Sequence, residues 1–330
     1  MNKALKSILE KIPGKANNCS MPEWFDPMLA TLTHHYFSDP DWIYERKLDG
    51  QRCLFYKHQE VRLMSRNRKI QNDYYPEIVE AIGNFPGTFI LDGELVCFNG
   101  NLTSFQTLQN RMHVRHPSAD LMDAYPVITY LFDVLYLDGF DLRQMPLRQR
   151  KEVLKSAFSF HDPVRFLIHR NGNGQALLTE ACKKGWEGLV AKKAGGTYRG
   201  TRSGDWLKFK CNERQEFVIG GYTKPRGERI GFGALLIGYY DDDDLKFAGK
   251  VGTGFDDKFL RTFKGQLDQH QSKYCPFNNY PDADADITWV VPQFVGEVVF
   301  TEWTSSGKLR HPRFLGLRMD KKPAEVVRES

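Results

Sequence analysis

The chain has 330 residues, of which 41% are hydrophobic and 26% charged, and it carries a formal charge of +5. That length favours two domains over a single small module, and no window approaches the roughly 18 unbroken apolar residues of a membrane-spanning helix. Residues 214–330 hold 17 basic and 17 acidic side chains, so the excess, 29 against 24, lies in residues 1–213, a balance compatible with a phosphate-rich partner.

In chain order, "MNKALKSILEKIPGK" is basic and mildly amphipathic, but charges interrupt it every few residues. It lacks the apolar stretch of a secretory signal and reads as a short surface segment, 1–21. "WIYERK" then gives way to the turn "LDG", and "RCLFYKHQEVRLMS" reads as a hairpin around "KHQE". "TFILDGELVCF" and "VITYLFDVLYLDG" are strand-like apolar runs with acids inside a core pattern, which demand an explanation. "MPLRQRKEVLKSAF" places Pro146 near a helix start and spaces Leu147, Val153, Leu154 and Phe158 on a helix, while "QALLTEACKKG" ends in a capping glycine. Short strands accompany them: "RFLIH", "EGLVAKK" and "DWLKFK".

From about residue 216 the texture changes to short strands with glycine-rich turns, interrupted by one helix, "DDKFLRTFKGQL". Five or so strands with one helix suit a small closed barrel of the OB type. The polar run "KCNERQ" marks the boundary. The fold class is therefore α+β: antiparallel sheets flanked by helices over 22–213, then a barrel over 214–330. The acidic runs "DDDD" and "DADAD" read as solvating loops. Six scattered cysteines offer no CxxC pair, so neither a disulfide framework nor a zinc site is expected, and a reducing, intracellular compartment is the default.

Taken singly, the polar residues of the first domain are unremarkable. Lys47 beside Asp-Gly reads as a solvated turn residue, Glu94 and Glu187 as paired or edge-strand acids, and Phe132 as core. Together they define a chemistry. A lysine becomes a nucleophile once its ammonium loses a proton, which nearby cations and a metal promote, and Lys47 has Arg46 beside it and Arg52 five residues on. Attack on a nucleoside triphosphate also needs cations around the α-phosphate and a divalent ion on the leaving pyrophosphate. In "WLKFK", Lys208 and Lys210 share one strand face, opposite Leu207 and Phe209, and a phosphate between them would relieve their repulsion.

"KLDGQR" matches the KxDGxR signature of the covalent nucleotidyltransferases, and further motifs follow in that superfamily's order. They are "SRNRK" at 65–69, "LDGELV" at 91–96, "YLFDVLYLDG" at 130–139, "EGLVAKK" at 187–193, "WLKFK" at 206–210 and "LRMDKKP" at 317–323. The chain resembles an ATP-dependent DNA ligase, and through "LQNRMH", "RSGDWLKFK", "VGTGF" and "RHPRFLGLRMDKKP" it looks most like the ligase module of bacterial end-joining ligases.

The resemblance implies that Lys47 forms a lysyl-AMP phosphoramidate and that Glu45 partners the adenine amino group. It implies that Leu48 also lines the nucleotide site, that Arg52 and Arg66 contact ribose and phosphates, and that Phe132 stacks on the base. Glu94 would hold ribose or metal, Glu187 the divalent ion, Mg²⁺ or Mn²⁺, and Lys208 and Lys210 the α-phosphate of ATP. Arg318, Asp320 and Lys321 match the last motif, which orients the pyrophosphate, and their place on a separate domain implies closing and reopening between steps. The implied substrate is nicked or broken duplex DNA in repair, handled by a monomer in the bacterial cytosol or nucleoid, with Ku or another end-binding protein as the implied partner. The same covalent chemistry serves RNA ligases and capping guanylyltransferases, and an OB-fold clamp without catalysis is the alternative of another class.

Overall fold

The structure is a computed structural model that describes residues 16–225, 227–281 and 286–329. Most of the run "DADAD" and of the 1–21 segment therefore falls outside the described residues. The chain divides into two compact units, 1–211 and 212–330.

In the first unit the principal elements are β1 (Leu29–Leu32), β2 (Asp39–Arg46), β3 (Gln51–Lys57), β4 (Val61–Ser65), α1 (Pro76–Gly83), β5 (Phe89–Val96), α2 (Phe105–Met112) and β6 (Ile128–Leu137). They continue with α3 (Leu147–Ala157), β7 (Val164–Phe166), β8 (His169–Gly172), α4 (Gly174–Lys183), β9 (Gly188–Lys193) and β10 (Arg202–Lys210). A larger sheet runs β6-β5-β3-β4 with β7 parallel to β6, and a smaller one runs β8-β2-β9-β10-β1.

Strand alternation sets the layers. On the larger sheet, Phe55, Leu91, Leu95, Leu131 and Val134 pack against Ile78 and Ile82 of α1, Phe105 and Leu108 of α2, and Val153 and Leu154 of α3. The opposite face offers Leu54, Tyr56, Ile90, Phe132 and Leu135, which meet Ala30 and Trp206 of the smaller sheet. The smaller sheet's outer face, Tyr44, Leu189, Ala191 and Phe209, is covered by Leu178 and Ala181 of α4. Strands buried on both faces read as nearly continuous apolar runs, which is why β5 and β6 do so.

The segment "RFLIH" is two strands, since β7 joins the larger sheet and β8 the smaller. Helices α1 and α2 are eight residues each, too short for their apolar spacing to stand out in sequence. Ser104 caps α2, its side chain accepting from the Thr107 N–H.

The second unit holds β11 (Glu213–Thr223), β12 (Leu235–Asp241), β13 (Asp244–Val251), α5 (Asp257–Asp268), β14 (Ile287–Phe300) and β15 (Arg313–Leu317). The ladder runs β13-β12-β11-β14, with β15 also on β14. Among the described residues no ladder joins β13 to β15. Instead the Phe314 N–H donates to the Thr253 carbonyl at 2.9 Å, so the sheet is a curled half-barrel of OB type. Leu260, Phe263 and Leu267 of α5 pack on Phe217, Ile219 and Ile237. The run "DDDD" makes the tight reversal between β12 and β13, with Asp242 in the left-handed region at φ 52°.

Candidate nucleotide site

Register assembles the site. Glu45 lies opposite Val190, and Val190 opposite Lys208; Gly188 pairs with Lys210, and Ile43 with Lys192. Paired residues share a face, as do residues two apart along a strand. Glu45, Lys192, Trp206, Lys208 and Lys210 therefore lie on the face turned toward the larger sheet. From that sheet Arg52 and Glu94, a directly opposed cross-strand pair, answer them.

Lys47 follows the end of β2 and is fixed by its backbone. Its N–H donates to the Gly188 carbonyl at 2.9 Å. Gly188 has φ 148°, and a Cβ there would sit 2.0 Å from the Phe209 carbonyl oxygen, so this crossing admits only glycine. Beyond Lys47, the Asp49 carboxylate accepts from the Phe105 N–H at 3.1 Å and its own N–H donates to Thr103 Oγ1 at 3.1 Å. A Cβ on Gly50 would lie 2.2 Å from the Leu95 carbonyl oxygen. The Asp-Gly turn is thus pinned on both sides.

Lys47 Nζ stands 2.5 Å from Glu187 Oε1, with side-chain exposures of 19% and 9%. Lys210 is buried and Lys208 half-buried. Two sequence motifs 140 residues apart thus meet at one ion pair.

Glu45, 1% exposed, has both carboxylate oxygens engaged: Oε1 accepts from Lys151 Nζ and Oε2 from Lys192 Nζ at 2.6 Å. Burial pushes its carboxyl up, but the Lys151 and Lys192 charges outweigh this and hold it below the ordinary carboxylate value. Burial dominates at Lys192, whose ammonium is pushed below the usual lysine value despite Glu45. The carboxylate expected to accept from a purine amino group therefore accepts from two lysines.

Arg52 forms a bidentate pair with Asp92, both N–O distances 2.5 Å. Burial disfavours its charge, yet Asp92 more than restores it and raises the guanidinium above its usual value. Asp92 is fully buried and also accepts from the Tyr198 hydroxyl at 2.7 Å. The acid inside "LDGELV" is thereby explained, as is Asp133 in "LFDVLY", which pairs with fully buried Arg150 at 2.8 Å.

Phe132, 5% exposed, belongs to the inter-sheet core and meets two cations, Lys192 Nζ 4.1 Å and the Arg52 guanidinium 4.6 Å from its ring centroid. Trp206 lies edge-on to it, with Lys192 Nζ 4.0 Å from its own ring. Leu48 is half-buried against the same core. Arg66 enters the turn after β4, closed by the Ser65 N–H donating to the Lys69 carbonyl at 2.9 Å.

In the second unit, Arg318 is bidentate to Asp320 at 2.9 Å and lies 3.2 Å from Glu216 and 3.5 Å from Glu297. Lys321 approaches Glu216 at 3.4 Å. Burial raises Asp320, but Arg318 brings it below its ordinary value.

Sequence reasoning assigned no role to Asp92, Tyr198, Trp206, Lys151 or Lys192. Two signals were available: the acid in a core-like strand, and Lys151 on the apolar stripe of α3, four residues after Leu147 and three before Leu154. A further departure is the disulfide between Cys182 and Cys211, Cα–Cα 5.3 Å, which ties the end of α4 to the residue after Lys210. Cysteines 29 residues apart give no local signal; the return of β10 beside α4 brings them together.

For a divalent cation the candidate donors are hard carboxylate oxygens, Glu187 and Glu94. Among the described residues no cluster of three or more ligating side chains exists. Mg²⁺ is a cation that one or two carboxylates and substrate phosphates can hold together.

Two facing sheets with lysines on the inner face, followed by an OB half-barrel, define a nucleotidyltransferase-type ligase fold. The ATP dependent DNA ligase domain profile matches residues 27–210, and that of the ATP dependent DNA ligase C terminal region matches 228–321. The multifunctional non-homologous end joining protein LigD of Pseudomonas aeruginosa is 37% identical over 319 residues, 94% of this chain and 37% of that protein. Its namesake from Mycolicibacterium smegmatis is 36% identical over 93% of this chain and 40% of that one. A solved structure, mycobacterial DNA ligase D complexed with ATP and MES, superposes with a TM-score of 0.67 at 35% identity, covering 92% of this chain and 98% of the other. The chain belongs to the ATP-dependent DNA ligase family. It spans about two fifths of the length of these two relatives. Among the described residues, no helix is long and apolar enough to cross a membrane.

Proposed function

We propose that this chain seals breaks between a 3′-hydroxyl and a 5′-phosphate in duplex DNA, using ATP. The observation that carries the reading is the Lys47–Glu187 pair, with the Lys47 N–H on the Gly188 carbonyl and Gly188 in register with Lys210, in a chain of this family.

Lys47 Nζ attacks the α-phosphorus of ATP, forming a P–N bond as pyrophosphate leaves. The AMP then passes to the 5′-phosphate of a DNA strand, and the 3′-hydroxyl displaces AMP to close the backbone. A phosphoramidate suits the first intermediate, because its nitrogen leaves readily once protonated. An ammonium has no free lone pair, so Lys47 must give up its proton and leave Glu187 before it attacks. Lys208 and Lys210 hold the α-phosphate, and Arg52 and Arg66 reach ribose and phosphates. Phe132, with Leu48 packed against the same core, receives the base. A divalent cation at Glu187 and Glu94 would offset charge on the departing pyrophosphate. To Arg318, Asp320 and Lys321 we assign the orientation of that pyrophosphate.

The domains we assign are 22–213 for adenylyl transfer and 214–330 for an OB fold. The relatives' names place them in end joining, and we extend the proposal to double-strand breaks as substrate, with Ku or another end-binding protein as partner. A monomer in the cytosol or nucleoid fits such work, although the Cys182–Cys211 disulfide is unusual for a reducing compartment.

The test is sealing of a nicked duplex with ATP and Mg²⁺, alongside cohesive and blunt ends with and without Ku. Sealing with transient DNA-adenylate supports the proposal. Preference for an RNA-strand nick would convert it to an RNA ligase, labelling by GTP alone to a capping enzyme, and duplex binding without labelling to a clamp.

A further inference from the structure

Lys151 is a buried lysine that the steps above do not use. It is 1% exposed on α3, and its ammonium donates to Glu45 Oε1, to the Leu167 carbonyl at 3.0 Å and to the Phe132 carbonyl at 3.3 Å. It also lies 4.6 Å from the Phe166 ring centroid. Phe132 belongs to the larger sheet and Glu45 to the smaller, so one ammonium joins both sheets.

The chain of contacts continues. Glu45 holds Lys192 at 2.6 Å, and that ammonium touches the rings of Phe132 and Trp206. The two ammonium groups share one buried carboxylate, and each is completed by other contacts, Lys151 by two carbonyls and Lys192 by two ring faces. Without Lys151, the Glu45 carboxylate keeps only Lys192 and can draw it off the ring faces. A buried charge that loses a partner repacks its neighbours instead of remaining in place. The groups displaced would be the aromatic ones, where a flat base stacks, and not Lys47, Lys208 or Lys210.

We propose that Lys151 is a positioning residue for the purine: through Glu45 it holds Lys192 against Phe132 and Trp206, and through the Phe132 carbonyl it fixes the spacing of the two sheets where the base enters. The inference rests on the nucleotidyl-transfer reading and specifies what orders its base site. It assigns Lys151 no contact with the reacting atoms.

The test compares wild type, Lys151→Met and Lys151→Arg in self-adenylylation against ATP concentration, with inorganic tripolyphosphate as a competitor that has phosphates and no base. For Lys151→Met the half-saturating ATP concentration should rise about tenfold or more, while the plateau changes less than about threefold, the signature of lost binding and not of lost chemistry. Lys151→Arg, which keeps the charge, should recover most of the loss, and tripolyphosphate should inhibit all three alike. Partial unfolding would lower the plateau and leave half-saturation unmoved. An unchanged half-saturation, or tripolyphosphate inhibition weakened in step with ATP, overturns the proposal.

Should Lys151→Met fail to fold, Glu45→Gln combined with Lys151→Met removes the carboxylate that has lost one of its two partners. That double variant must show the same weakened ATP dependence, and wild-type dependence in it overturns the proposal. Equilibrium ATP binding, measured in parallel, separates the two readings. Binding without labelling in the wild type sinks the transfer chemistry and leaves the Lys151 comparison intact.

Discussion

Lys47 Nζ and Glu187 Oε1 lie 2.5 Å apart, and this pair joins the motif proposed to supply the nucleophile to the motif expected to hold the metal. Glu187→Gln keeps the shape but removes the charge that balances the lysine and would attract a divalent cation. Single-turnover adenylylation should fall by roughly two orders of magnitude at saturating ATP, as for a group acting only in the transition state. Added chelator should abolish it in the wild type. A rate within about threefold of wild type would remove Glu187 from the mechanism.

Arg150 and Asp133 form a pair in which both side chains are 0% exposed. Removing one partner leaves the other charge buried alone, so Asp133→Ala should cost about 3–5 kcal/mol in urea unfolding. Activity per folded molecule should stay near wild type.

Glu45 titrates below its ordinary value because Lys151 and Lys192 overcome the burial penalty. A carboxyl depressed in the folded state contributes stability fully above its unfolded value, near 4.5, and loses it as pH falls through the folded value. Urea midpoints should therefore hold above that value and drop below it, and Glu45→Gln should flatten part of the drop. An unaltered slope in the variant would contradict the assignment.

The Cys182–Cys211 disulfide closes a loop across 29 residues. Chain-entropy reasoning assigns such a closure roughly 3–4 kcal/mol. Urea unfolding of the oxidised protein, the reduced protein and Cys182→Ser with Cys211→Ser should place the last two together, below the first. Coincidence of all three would show that the link adds nothing.

Much of the fold was legible where local signals are strong. The hairpin of β3 and β4 and the helices α3, α4 and α5 follow from apolar period, turn residues and capping glycine. What escaped depends on contacts distant in sequence. Nothing local distinguishes "RFLIH" as two strands in two sheets, and nothing local pairs Cys182 with Cys211. The expected closed barrel is a half-barrel because the chain just past β13 meets β15 through the Phe314–Thr253 bond and not through a ladder.

At the site, the motifs named the residues and the register brought Lys47, Glu187, Lys208 and Lys210 to one region. The partners of Glu45 were not legible. A carboxylate two residues before Lys47 gives no local sign of Lys151, 106 residues away, which donates to it.

The central claim is that Lys47 carries AMP covalently, and the direct measurement is retention of label after denaturation from α-labelled ATP with Mg²⁺. The wild type should retain it in an acid-labile, base-stable P–N linkage that pyrophosphate discharges from the native enzyme. Lys47→Ala, and Lys47→Arg, whose guanidinium stays protonated, should retain none while keeping wild-type circular dichroism. Label on either variant, or none on the wild type, would contradict the account.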